Sequence, residues 1–412
     1  MGVGRQDLTD RAGRRRVRAT LSLDAGKAQP PSGRSRAGKR ATAVTAAAAA
    51  AVVLTAGVLT ACGSSPGSPP SGVSLAGAAA SEPASGSRAL SETGSSLMAP
   101  LFTLWAPAYH ARFPQVTLHT VSSSSGEGIA SAAAGKADIG ASDAFLSPAT
   151  LAKYSNLVNI PLAVAALMVV YNVPGVSASA HLKLDGTVLA RIYSGKISRW
   201  DDPAIAALNP AVKLPGTAVV PVHRADSSGS TFLFTSYLNA QDPAGWSSSL
   251  IGTTVAWLRH PGALGAAGSE AIISSVKSAP GAIGYVGVSY LSQVMDANEG
   301  EAALGNSSGN FVLPAARAIQ AALGSFTSTP ASETISLING AAAQAYPIIN
   351  YEYAVVNASQ PSATRAQDLR AFLTWAVTSG TAQLAKVNFQ PLPPSVITLS
   401  DAQIARIRGR AG

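Results

Sequence analysis

Two hydrophobic periods alternate along most of this chain. Gln115–Val121 (QVTLHTV) carries an apolar residue at every second position, which predicts a strand, and Asn159–Val173 (NIPLAVAALMVVYNV) is a long apolar run closed by Pro174-Gly175. Ser147–Tyr154 (SPATLAKY) predicts a helix with Ser147 as N-cap and Pro148 in the first turn. Thr187–Gly195 (TVLARIYSG) predicts a helix closed at Gly195, and Asp201–Pro210 a short one. Leu369–Gly380 (LRAFLTWAVTSG) reads as an amphipathic helix ending on Gly380. The alternation predicts an α/β fold with mixed or parallel sheets and no internal repeat.

The first part of the chain obeys neither period. Residues 1–40 hold 11 Lys and Arg against 3 Asp and Glu, whereas 41–412 hold 19 against 18, so nearly all of the formal net charge of +9 belongs to the head. A nearly neutral body offers no basic face for nucleic acid. The basic head runs into an uncharged apolar stretch that ends at Leu59-Thr60-Ala61-Cys62, and Cys62 is the only cysteine. This order is that of an export signal, and its last four residues resemble the lipobox of bacterial lipoproteins. The resemblance implies cleavage before Cys62, lipidation of that residue, and anchoring to the outer face of the cell membrane. A transmembrane anchor fits less well, because alanine is weakly apolar and no stop-transfer charges come after it. Residues 62–89 comprise the lipidated cysteine and a Gly/Ser/Pro/Ala-rich linker too poor in large apolar residues to fold. As a coil its ends lie on the order of 30 Å apart. The remaining length, with 47% hydrophobic residues over the whole chain, suffices for two domains.

Three places share one local design. Ser95-Ser96 precede an apolar helix; Ser124-Ser125-Gly126 come after the strand Gln115–Val121; Ser228-Gly229-Ser230 come after the apolar run Thr217–His223. Each predicts a serine N-cap, where unpaired backbone N–H groups and the helix dipole favour an anion. Arg224 stands beside the third and offers planar, paired donors to a tetrahedral oxyanion. Gly229 lets backbone approach a ligand closely. Known hydrolase, metalloprotease and nucleotide-binding motifs are missing, and the five histidines show no metal spacing. Ser274-Ser275-Val276-Lys277 has the S-x-x-K form of acylating enzymes but lacks its companion motifs, and apolar Ile272, Ile273 and Val276 mark an ordinary helix. Trp200, Trp246, Trp257 and Tyr285 are assigned to core packing. No catalytic residue, cofactor or metal is expected.

The segments ADIGASDAFLS, YSGKISRWDDPAIAALNP, RADSSGSTFLFTSYL and PGAIGYV resemble, in the family's order, the periplasmic phosphate-binding proteins (PstS), solute receptors of phosphate ABC importers. The similarity runs from about Glu92 to the C-terminus. It implies a two-lobed periplasmic-binding-protein fold of type II-like form, with the ligand cleft at the hinge. Lobe I is expected at 90–164 plus 346–412 and lobe II at 165–345, after a signal segment at 1–61. The implied phosphate shell is Ser96 with the amide of Leu97, Ser124, Asp143, Arg224, Ser228, Gly229 and Ser230, with Asp226 supporting Arg224. Leu97 and Met98 depart from the aromatic and proline common there, and serines at 96 and 230 replace threonine. His223 is expected to be a satisfied strand-end residue.

Asp143 is the most telling member. A carboxylate beside an anion repels it unless the ligand brings a proton, as hydrogen phosphate does and sulfate at neutral pH does not. The expected function is reception of hydrogen phosphate and its delivery to a permease and ATPase complex, by a monomer held to the membrane by lipid. The alternatives are a receptor for sulfate or molybdate, or a phosphoester hydrolase or sensor on the same fold.

Overall fold

Leu157–Asn172 forms one unbroken 16-residue strand whose residues are buried up to Tyr171. A computed structural model of the chain describes residues 82–410 apart from 87, 258, 259 and 261. The signal segment and Cys62 therefore lie outside the described residues. The long strand is β4, preceded by β1 (Arg88–Gly94), β2 (Val116–Ser122) and β3 (Ile139–Ser142). After it come β5 (Val220–Arg224), β6 (Leu264–Ala266), β7 (Ala282–Gly287) and β8 (Ile349–Asn357). These lie in the order β2-β1-β3-β8-β4-β7-β5-β6, with Gly300–Glu301 pairing beside β4.

Register makes this one sheet behave as two. Leu157–Ala166 of β4 pairs antiparallel with β8, whereas Leu167–Asn172 pairs antiparallel with β7. On one side β1 runs parallel to β2 and β3, and β3 runs antiparallel to β8. On the other side β5 runs parallel to both β6 and β7. These directions, carried through β4, turn the C-terminal ends of β1 and β3 toward the C-terminal end of β5. Ligands of open α/β sheets bind outside such strand ends. Apolar runs without alternation, as in β4, are what burial on both faces requires.

A helix begins beyond several of these ends: α1 (Ala99–Arg112) after β1, α2 (Ser125–Ala133) after β2, α3 (Gly229–Gln241) after β5 and α4 (Ser269–Ser278) after β6. The predicted caps at Ser147 and Gly195 are in place: Ser147 accepts from Thr150 N, and Gly195 turns at φ 75°. Trp200, Trp246 and Tyr285 are buried in the core, and Trp257 packs against it. Ile272, Ile273 and Val276 of the S-x-x-K helix face the same core.

Three expectations need correction. Folded structure begins inside the expected linker: β1 starts at Arg88, whose Nε pairs with buried Asp368 at 2.6 Å, and Ala84 N donates to the same carboxylate. The helix expected over Leu369–Gly380 runs from Ala363 to Val377 and is buried around most of its circumference, so it is not amphipathic. Gly380 lies beyond it in a 3-10 segment, where its carbonyl accepts from Trp105 Nε1. The first serine pair does not cap α1 from the N-cap position, which is Met98.

Several buried carboxyls set the pH response of this fold. Burial pushes Glu92, Glu299 and Glu333 up to about 8. Below that value they are neutral when folded, while an unfolded glutamate ionises near its ordinary value of 4.5. Between these limits the folded chain binds more protons, so its stability falls as pH rises and levels off above about 8. Thermal unfolding of the protein is expected to show a higher Tm at pH 5.5 than at pH 8, and Glu333→Gln is expected to flatten part of that slope. A Tm that rises steadily across this range would contradict the assignment.

Candidate functional site

Arg224 ends β5, and its neighbours fix it before any ligand is considered. Its backbone N–H donates to Tyr285 Oη at 3.1 Å, and that phenol lies 2.8 Å from Thr231 Oγ1. Burial pushes the Tyr285 hydroxyl up to about 12, so it stays neutral. Nε donates to Asp226 Oδ1 at 2.6 Å and Nη2 donates to Asp226 Oδ2. This two-point grip uses one edge of the guanidinium and aims Nη1 at Ser96 Oγ, 3.1 Å away on the other half of the protein. The Arg224 side chain is 2% exposed.

Asp143 comes just after β3 and is fully buried, with 1% exposure. Its Oδ1 accepts from Ser95 Oγ, and its Oδ2 accepts from Ser230 Oγ at 2.8 Å. Burial raises its proton affinity; the two hydroxyls and the Arg224 charge oppose that rise without cancelling it. The main chain is held as well: Asp143 N donates to Ser125 Oγ, and its carbonyl accepts from Asn350 Nδ2.

Ser96 is the meeting point of the two halves. Besides the Arg224 contact, its Oγ accepts from Ser269 N at 3.1 Å and lies 2.8 Å from Ser269 Oγ. Tyr290 donates to the Ser96 carbonyl. Gly126 N donates to Ser227 O at 2.8 Å and closes the same junction from the other side. Outward from Ser96 and Asp226 opens a cleft of about 910 Å³, lined also by Ser124, Ser269, Glu270 and Lys386.

The structure thus brings Ser96, Arg224 and Asp226 into one hydrogen-bonded group, and Asp143 and Ser230, with Ser95, into a second within range of the Arg224 charge. Ser124 and Ser228 cap α2 and α3 by accepting from Glu127 N and Ser230 N, as their positions predict. Gly229 sits against Ser125 and Asp143: a Cβ there would lie 2.6 Å from Ser125 Oγ and 2.7 Å from Asp143 Cβ. Leu97 lies at the same junction. Its amide donates to Ser95 Oγ, and its buried side chain packs under Gly287. His223 is satisfied as a strand-end residue, with Nδ1 3.1 Å from Arg224 O and its ring stacked on Trp257.

Sequence reasoning missed Ser95 as a site residue, and also Ser125, Ser269, Asn350 and Glu352. Ser269 had a visible signal, because Gly268-Ser269 after β6 repeats the serine-at-helix-start design a fourth time. Asn350 and Glu352 had none, since they arrive from a strand more than 200 residues away from Asp143.

Known proteins resemble this chain over most of its length. The PBP superfamily domain matches residues 77–379. The phosphate-binding protein PstS of Xylella fastidiosa is 32% identical over 315 residues, which cover 76% of this chain and 84% of that protein. PstS of Pasteurella multocida is 32% identical over 314 residues, covering 75% and 88%. Among solved structures, a high-affinity periplasmic phosphate-binding protein (PfluDING) bound with phosphate superposes with a TM-score of 0.63 at 21% identity, covering 79% of this chain and 100% of that one. The two-lobed fold and the sequence relationship lead to one assignment: the chain belongs to the PstS family of phosphate-binding proteins, within the PBP superfamily.

Proposed function

We propose that this protein is an extracytoplasmic receptor that binds hydrogen phosphate between its two halves and hands it to an ABC-type import permease. The observation that carries the reading is Asp143, a fully buried carboxylate placed at the junction with Arg224 and a set of hydroxyls. Arg224 supplies the positive charge and forked donors for a tetrahedral anion. Ser96, Ser124, Ser228 and Ser230 supply hydroxyls, and the amides at the start of α3 supply backbone donors. Ser95 and Ser269 join this set. Asp143 accepts from the ligand's own hydroxyl, so an oxyanion without a proton leaves two negative groups facing each other in a dry site. That asymmetry supports phosphate over sulfate and molybdate.

In the present arrangement the site groups bond to one another: Ser230 and Ser95 donate to Asp143, and Arg224 donates to Ser96. Ligand entry exchanges these bonds for bonds to the anion, with the halves opening and closing about β4 and β8. Lobe I at 90–164 plus 346–412 and lobe II at 165–345 accord with that reading, since β4 changes partners between Ala166 and Leu167. The receptor makes and breaks no covalent bond, which accords with relatives named as binding proteins. Lipidation at Cys62, anchoring at the outer membrane face and action as a monomer complete the proposal; the lipobox-like segment supports the first two.

Calorimetric titration with phosphate and sulfate at neutral pH tests the reading. Wild type is expected to bind phosphate and give no heat with sulfate; equal binding of both would overturn the role of Asp143, and silence with both would overturn the function. Arg224→Ala is expected to weaken phosphate at least 30-fold, about 2 kcal/mol, as loss of a buried charged donor implies. Asp143→Asn replaces the carboxylate by a group that can also donate, so it is expected to narrow the phosphate-to-sulfate ratio by at least tenfold. Gly229→Ala is expected to weaken phosphate about tenfold or more with an unchanged melting temperature, because a Cβ 2.7 Å from Asp143 Cβ obstructs the closed state rather than either half.

A further inference from the structure

Behind Asp143 lies a second carboxyl that the proposed phosphate shell does not use. Glu352 stands in β8, and its side chain is fully buried. Register brings it there: Tyr353 pairs with Ser142, so the next step of the antiparallel ladder sets Glu352 level with Asp143. On the other edge, the pairing of β8 with β4 shifts between Glu352 and Tyr353, from Ala163 to Pro161. Such bulges re-aim side chains beside functional sites. Two carboxyls thus meet across adjacent strands in the centre of the molecule.

The surroundings decide which of them keeps a charge. Asp143 has hydroxyl donors on both oxygens and the Arg224 guanidinium in range. Among the described residues, neither Glu352 oxygen has a hydrogen-bond partner of ordinary geometry. The facing residues of β4, Ala163 and Pro161, are not ionisable, and the buried phenol of Tyr353 is held neutral. The ionisable group acting on Glu352 is Asp143, its neighbour across the ladder. A buried carboxylate with no donor is costly, and a like charge beside it more so, which is why burial and Asp143 together raise the Glu352 carboxyl well above its ordinary range.

We propose that Glu352 is a positioning and specificity-determining residue: it holds a proton that it donates to Asp143, and thereby keeps Asp143 an ionised acceptor for the ligand's hydroxyl. The inference rests on the phosphate reading of the site. Without that donor, Asp143 would take up a proton itself and become a donor, able to accommodate an oxyanion that has no proton of its own. Selectivity against sulfate is therefore set two layers deep.

Two variants of the full-length protein separate this role from simple packing. Glu352→Gln keeps a neutral donor of the same shape; Glu352→Leu fills the space without one. By calorimetry, E352Q is expected to hold phosphate within about threefold of wild type and to exclude sulfate. E352L is expected to lose phosphate affinity about tenfold or more and to bind sulfate measurably. An E352L protein that matches wild type with both anions would overturn the proposal, as would an E352Q protein that behaves like E352L. Infrared difference spectra of wild type minus E352Q provide a readout that does not depend on E352L folding. A protonated carboxylic acid band at neutral pH supports the assignment, and a carboxylate band in its place overturns it. Failure of the phosphate reading shows itself differently, as a wild-type protein giving no heat with phosphate, while the infrared band still decides whether Glu352 carries the proton.

Discussion

The shared strand β4 is the constraint on which the architecture rests. Its N-terminal part completes one half of the sheet and its C-terminal part the other, so neither half can order its central strand without the other. The β4 backbone is paired through the whole junction, first with β8 and then with β7, and the apolar run from Leu157 to Tyr171 is what burial on both faces requires. The same geometry aims the C-terminal ends of β1, β3 and β5 at one another. The loops after β1 and β5 are short and end in helix starts, so serine hydroxyls and unpaired amides collect at the junction. The polar site is thus a consequence of how the apolar strand is shared.

Within that junction the charges are arranged by unequal means. Arg224 is held by a nearby acid, Asp226, whose side chain is 20% exposed and keeps contact with solvent. Asp143 has no such access and accepts a hydroxyl on each of its two oxygens. A low-dielectric interior magnifies both attraction to Arg224 and repulsion from any second anion. The consequence is a site whose discrimination comes from what it cannot tolerate rather than from its strongest contact. Hydroxyls suit this arrangement, because each can turn from Asp143 to a ligand oxygen without moving backbone.

Much of this was legible in the sequence, and the parts that were not share a physical reason. Helix caps at Ser124, Ser147 and Ser228, and the pairing of Arg224 with Asp226, are local, spanning two or three residues. Local hydrogen bonds leave local signatures. The amphipathic reading of Leu369–Gly380 failed because a helix packed on several sides loses the polar face that periodicity detects: Phe372 and Trp375 lie against Phe102, Trp105 and Tyr109 of α1, and the helix also packs on β4 and on Pro394–Ile404. The bond from the Leu97 amide to Ser95 Oγ left no such signature, because an amide's direction depends on its neighbours rather than on the residue itself.

Glu352 marks the limit of such reading most clearly. In the sequence it is one acid in Ile349–Asn357, among tyrosines and valines, and nothing nearby distinguishes it from a half-exposed strand residue. Its environment comes entirely from register: the ladder to β3 sets it beside Asp143, and the shift against β4 turns it inward. An ionised glutamate would not be tolerated there without a donor, so the fold selects the protonation state as surely as it selects the rotamer. Once neutral, the same group ceases to oppose Asp143 and begins to support it. A buried acid that is unfavourable for stability at neutral pH is in this way retained as the partner that lets its neighbour stay charged.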